Sequence, residues 1–247
     1  MSARSRPSRR SAFERACLSE DRNSTAAAGD DVHTKMFRHL LIASSLWVLA
    51  AAALAGSPPP LLVDESGWNP TESKPPSSAV LLGSFRLGFE TTRLEDVRHA
   101  AGVGAITHQG DAADSIYWLC YTASVAGSHE RIWILSSGEM GGPEHEITGV
   151  SAQLSQSFRA IPSCPALPAK LTPMRLDRGF WLRSTNHEVA GALGTPSRQQ
   201  AGWLFYDFSG KSPQKCEGGF YDVTNGLQVR IQHGLVTDVR ASQVTSC

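Results

Sequence analysis

Several familiar signatures are missing from this chain, and each absence closes off a class of function. Neither charge dominates, since 23 Lys and Arg stand against 23 Asp and Glu in 247 residues. Without residues 1–55 the remainder holds 15 basic and 18 acidic residues, a formal net of −3, so no basic stripe is left to grip a nucleic acid. No two cysteines form a C-x-x-C pair, which removes the thioredoxin-type redox centre and the zinc knuckle. His187-Glu188 opens like a zinc-protease helix, but Gly191 stands where the second histidine belongs. Ser136-Ser137-Gly138 lacks the leading glycine of a nucleophile elbow. The glycines between Gly138 and Gly142 are not followed by the Lys-Ser/Thr helix of a phosphate loop. No cofactor and no metal are implied.

The chain has one long apolar run, Leu40 to Ala55, whose 16 residues fall short of a spanning helix; such a helix needs roughly 20. Lys35 and Arg38 flank it and Ala53-Leu54-Ala55 closes it, the pattern of a secretory signal peptide over residues 36–55. Residues 1–35, rich in Arg, Ser and Ala without an apolar period, read as a disordered extension or a misassigned start ahead of Met36. The mature chain is then expected in the periplasm or secreted, with no stable membrane span. Residues 56–78 carry Pro58-Pro59-Pro60, Pro70 and Pro75-Pro76, an extended linker expected to serve as a tether.

What is present is a repeat. Trp118-Leu119-Cys120-Tyr121 returns as Trp203-Leu204-Phe205-Tyr206, an offset of 85. Upstream, Thr92, Asp96, Val97, Ala100 and Gly102 match Ser184, Glu188, Val189, Ala192 and Gly194 at an offset of 92. Downstream, Ile147 to Ala152 matches Val236 to Ala241 at an offset of 89. The drop from 92 to 85 places seven extra residues in the first copy, in the loop around His108, Gln109, Gly110 and Asp111. The predicted fold class is α+β. Two tandem modules, residues 79–160 and 175–247, are joined by a linker over 161–174, each with a short helix or two on an antiparallel sheet of three to four strands.

Within this plan Ala79 to Phe89 reads as one bent strand, and Thr92 caps a helix that Gly102 stops. Strands follow at 116–122, 131–136 and 146–154. In the second copy Phe180-Trp181-Leu182 reads as a strand, Ser184 or Thr185 caps a helix ending at Gly194, and Asn225-Gly226 reads as a hairpin turn.

Cys17 leaves with the leader, and an even four cysteines in an exported chain predict two disulfides. Three connectivities are open. The repeat selects Cys120–Cys164 and Cys216–Cys247, because each copy then holds one cysteine before its last strand and one after it.

Alternation along a strand sends Trp118 and Cys120 to one face and Tyr117, Leu119 and Tyr121 to the other. Ile132 and Ile134 oppose Trp133 and Leu135 in the same way, so both faces of the sheet are apolar. A short helix covers only one. The second face must meet the other module, a loop of the same chain or another protein.

Tandem helix-plus-sheet modules in an exported chain, with one disulfide each and helices stopped by Gly102 and Gly194, resemble the family of the β-lactamase inhibitory protein. That resemblance implies a concave aromatic sheet surface that binds another protein, and no catalytic residues. Each copy here opens with one short helix where the family has a pair. On this reading the chain is a non-enzymatic binding protein of inhibitor or immunity type, acting on another protein. Its expected contacts are Trp118, Tyr121, Trp133, Trp203 and Tyr206, together with the loop from Gly138 to Glu146 that carries Glu144 and His145. The alternative is a structural component of envelope assembly; a small hydrolase using His108, His145 or Ser137 is the third reading. Glu144 and Glu146 lie on the opposite side of an extended chain from His145, so the three do not converge.

Overall fold

The computed structural model describes residues 58–60, 67–125, 127–142 and 144–247, all within one compact unit. The expected extension and signal peptide, and residues 56–57 and 61–66 of the expected linker, lie outside them. Among the described residues no helix is long and apolar enough to cross a membrane.

The strands are β1 (Ala79–Leu82), β2 (Phe85–Gly88), β3 (Thr107–Gln109), β4 (Ile116–Val125), β5 (Ser128–Ser137) and β6 (Gly149–Ser155). They continue with β7 (Met174–Leu176), β8 (Arg198–Gln200), β9 (Trp203–Cys216), β10 (Gly219–Gln232) and β11 (Leu235–Ser246). Two helices, α1 (Leu94–Ala101) and α2 (Asn186–Leu193), complete the α+β fold. The two separate sheets expected from the repeat are one. Eight antiparallel strands run in the order β3-β4-β5-β6-β11-β10-β9-β8.

The reason lies in the register at the centre of the sheet. Val150 pairs with Ala241 and Ala152 with Val239, while the offset of 89 makes Val150 the counterpart of Val239 and Ala152 that of Ala241. The last strand of each copy therefore meets its own equivalent about a local two-fold at the Ser151–Arg240 pair. Joining there satisfies two edges that separate sheets would leave open.

One face of this sheet forms the main core. Leu119, Tyr121, Ile134, Val150, Tyr206 and Leu227 pack in a single apolar cluster with Leu94 and Val97 of α1 and Val189 of α2. A small sheet in the order β2-β1-β7 seals the same side through Val80, Leu82 and Leu176. Residues 79–89, expected as one bent strand, fold back at Gly83 as the β1–β2 hairpin. Phe180-Trp181-Leu182 is buried but not a strand, because its backbone turns to deliver Trp181 to the core.

Helix α1 begins one residue later than expected. The Asp96 carboxylate accepts from the Arg93 N–H at 3.0 Å, while the Thr92 hydroxyl accepts from Gly88 instead. The α2 cap agrees with the sequence: Thr185 Oγ1 accepts from the Glu188 N–H at 3.2 Å, and Glu188 accepts from the Thr185 N–H. Asn225-Gly226 lies inside β10, and the turns fall at Glu217-Gly218 and His233-Gly234. Both predicted disulfides are present, Cys120–Cys164 and Cys216–Cys247.

Candidate functional site

Five of the predicted contact residues are core. Tyr121 and Tyr206 are 0% and 1% exposed beneath the helices, so the sequence-based picture of them as surface contacts is corrected by burial. Tyr121 donates its hydroxyl to the Val103 carbonyl at 3.0 Å, and desolvation pushes its pKa up to about 12. Trp118, Trp133 and Trp203 lie on the opposite face and are also buried. Trp118 and Trp133 pack with Leu135 and the Cys120–Cys164 bridge, so the segment carrying Cys164 roofs that part of the sheet. That segment is more than a linker: Leu167 N–H donates to Thr122 O and Thr122 N–H to Pro165 O, extending the edge of β4.

Glu144 and His145 stand at the surface, on the loop between β5 and β6. The loop turns through a 3-10 segment, Gly138–Gly141, and is pinned by Glu146 N–H to Gly141 O at 2.7 Å and His145 N–H to Gly142 O at 3.1 Å. Glu144 leaves the histidine and pairs with Arg93 at 3.0 Å, both half exposed, so the pair contributes little to stability. His145 stacks on Tyr117 with ring centroids 4.0 Å apart, and Tyr117 stacks on His108 at 4.3 Å. His108 Nε2 is hydrogen-bonded to Ser115 Oγ at 2.8 Å. These groups line an open concavity of about 460 Å³ together with Asp111, Gly138 and Gly142.

His108 and Ser115 flank the insertion peculiar to the first copy. Asp111 caps its 3-10 turn, Ala112–Asp114, by accepting from the Ala112 N–H at 2.8 Å. The roles of Ser115 and Tyr117 were not read from the sequence, although the seven-residue insertion between the copies marks the place. Ser137, the serine weighed for a hydrolase, instead hydrogen-bonds Thr148 at 3.1 Å and reaches neither histidine. The Ser115–His108 contact has the reach of a nucleophile pair, and the nearby Asp111 accepts through Oδ1 from the Ala112 N–H. Stacking faces and hydrogen-bonding edges suit binding.

The backbone under His145 is informative. His145 has φ 52°, a left-handed conformation costly for a residue with a side chain, and its carbonyl accepts from the Leu94 N–H at the start of α1 at 3.1 Å. In the second half Gly234 has φ 78° and accepts from the Asn186 N–H at the start of α2 at 3.2 Å. The offsets of 89 and 92 make these the same position and the same bond. The equivalent corner in the second half is lined by Gln199, Gln200, Ala201, Gly202 and Ile231 among others, with no ionisable side chain. No family model, curated protein or solved structure matches the chain.

Proposed function

We propose that this is an exported, non-enzymatic protein-binding module, periplasmic or secreted, built from a duplicated helix-and-sheet unit, whose His108–Tyr117–His145 corner contacts another protein. The observation that carries the reading is His145: the first half places a histidine in a left-handed conformation where the second half uses glycine. His233, beside Gly234, is left-handed as well at φ 51°, so the tight turn belongs to both halves, and what the first half adds at this position is an imidazole stacked on Tyr117. Such strain costs about 1–3 kcal/mol and collects at functional sites. Two disulfides support an oxidising compartment. An inhibitor or immunity-type role agrees with a corner preformed by stacking, which lowers the ordering cost of association.

The test exploits the glycine equivalent. His145→Gly relieves the backbone, and its stability is expected within about 1 kcal/mol of the parent because lost stacking offsets relieved strain. Affinity capture from envelope extract should retain a protein with the parent chain and lose it with His145→Gly and with Tyr117→Ala. Equal capture by all three, with each variant folded by near-UV circular dichroism, removes the corner from the function.

A further inference from the structure

The Pro-rich segment was expected to be a tether, yet its described residues dock on the second face of the eight-stranded sheet. Ser151 Oγ, at the local two-fold, donates to the Pro60 carbonyl at 2.8 Å. Farther across the face, the Trp68 ring lies on Gly226, where an added Cβ would stand 3.1 Å from ring carbon Cζ3. The Asn69 N–H donates to Asp207 Oδ2 at 3.2 Å. At the edge of β9 the Glu72 N–H donates to the Asp207 carbonyl at 3.1 Å, as an added strand would. The chain then reaches the helix face, where Asn225 donates to the Ser77 carbonyl at 2.7 Å and Arg178 to those of Pro75 and Pro76.

The face is shaped for such a chain. Gly149, Ser242 and Gly226 stand side by side across β6, β11 and β10, a row of small residues with Ser151 beside it. Trp118 and Trp133 rise on one side of this trough. On the other, Trp203 is stacked by Arg240 at 4.6 Å and Phe205 by Arg198 at 3.8 Å. Trp68 remains 38% exposed despite its seat, one of the most exposed large apolar side chains among the described residues. A half-buried tryptophan held by a glycine seat and main-chain hydrogen bonds is bound as a ligand is bound, with little of the interlocking that holds Tyr121 or Tyr206.

We infer that the second face of the sheet is a receptor groove for an extended polypeptide, and that residues 58–60 and 67–72 are its intramolecular occupant. Releasing them leaves the Gly226 seat open to an extended segment that carries an aromatic side chain. The groove lies on the opposite side of the sheet from the helix-side cluster that Tyr117 packs against, so this inference stands whether or not the histidine corner binds anything.

A fluorescent peptide with the sequence of residues 58–72, added to the mature full-length chain, tests it by anisotropy. The parent chain, its groove filled in cis, should bind weakly. Trp68→Ala with Asn69→Pro, which removes the seated ring and the donor to Asp207, should bind the peptide at least tenfold more tightly. Adding Gly226→Val should abolish that gain while leaving the melting temperature near that of the double variant. Equal binding by the parent and the double variant, or none by either, overturns the inference. A parent that is dimeric at the assay concentration overturns the intramolecular assignment. Hydrogen exchange on the parent gives a reading that needs no variant. The Asn69 and Glu72 amides should exchange at least tenfold faster than those of Leu227 and Val229, and exchange only by global unfolding makes the segment core.

Discussion

At the turn before the last strand of the first half the chain places His145, and at the matching turn of the second half it places Gly234. Both carbonyls receive the first N–H of a helix, both backbones are left-handed, and the next hydrogen bonds also correspond, Ile147 N–H to Thr92 O and Val236 N–H to Ser184 O, each at 2.8 Å. This turn and its contact with the helix are therefore common to the halves, while what surrounds them differs. The first half adds seven residues, two imidazoles, a phenol and a serine to a corner that the second half lines with glutamines and glycine. Repeat-equivalent backbone with unequal side chains marks this corner as a candidate site, where no motif in the chain does.

The disulfides carry the largest expected difference between the halves. The Cys120–Cys164 bridge closes 44 residues and Cys216–Cys247 closes 31; chain-entropy arithmetic assigns about 4 kcal/mol to each. The first also holds the roof over Trp118 and Trp133, whereas the second staples the outer half of the β9–β10 hairpin, where Phe220 is 48% exposed. Paired Cys→Ser changes at 120 and 164 should therefore cost more than those at 216 and 247 in urea unfolding. An equal loss means that the roof is held by its hydrogen bonds alone.

A smaller and cleaner contrast uses one repeat position. Leu119 and Leu204 are equivalent, but Leu119 is fully buried and Leu204 only partly so. Leu119→Ala should cost about 3 kcal/mol, within the usual range for a buried leucine, and Leu204→Ala roughly half of that. Equal costs would show that the second half is packed as tightly as the first, against the exposure difference.

Much of the fold was legible because it rests on local periodicity and on the repeat. Alternation sorted Trp118 and Cys120 from Leu119 and Tyr121 correctly, the α2 cap and both disulfides follow from residue type and order, and Gly102 ends α1 as expected. The failures are tertiary. Asn225-Gly226 has the composition of a turn, but its asparagine is spent on Ser77 and Gln243 and its glycine on Trp68, partners 148, 18 and 158 residues away. No window of sequence shows that. The merging of the two sheets escaped for a related reason, since pairing between equivalent strands depends on register rather than on composition. Of the corner, the sequence shows His145 as a loop histidine and His108 and Asp111 as part of the loop peculiar to the first copy; the stacking of both rings on Tyr117 required β3, β4 and the loop before β6 to meet.

The two halves also touch through a buried charge, and its titration makes the smallest of these effects. Glu130 of β5 is 2% exposed and accepts from Trp181 Nε1 at 3.1 Å, on the segment leading to α2. Burial raises its pKa above the ordinary 4.5, opposed in part by the Trp181 bond and the Arg183 charge. Below 4.5 the carboxyl is protonated in both folded and unfolded chains, and no charge is buried. As pH rises past 4.5 the unfolded chain ionises first, so the stability linked to Glu130 falls until pH exceeds the raised folded value. Glu130→Gln keeps an oxygen for the indole N–H and removes the charge. The variant should therefore be more stable than the parent at pH 8, with the advantage shrinking toward pH 4.5 in paired urea titrations. An advantage that stays constant with pH would mean that the carboxylate is not desolvated in the folded chain, and that Trp181 joins the halves by packing alone.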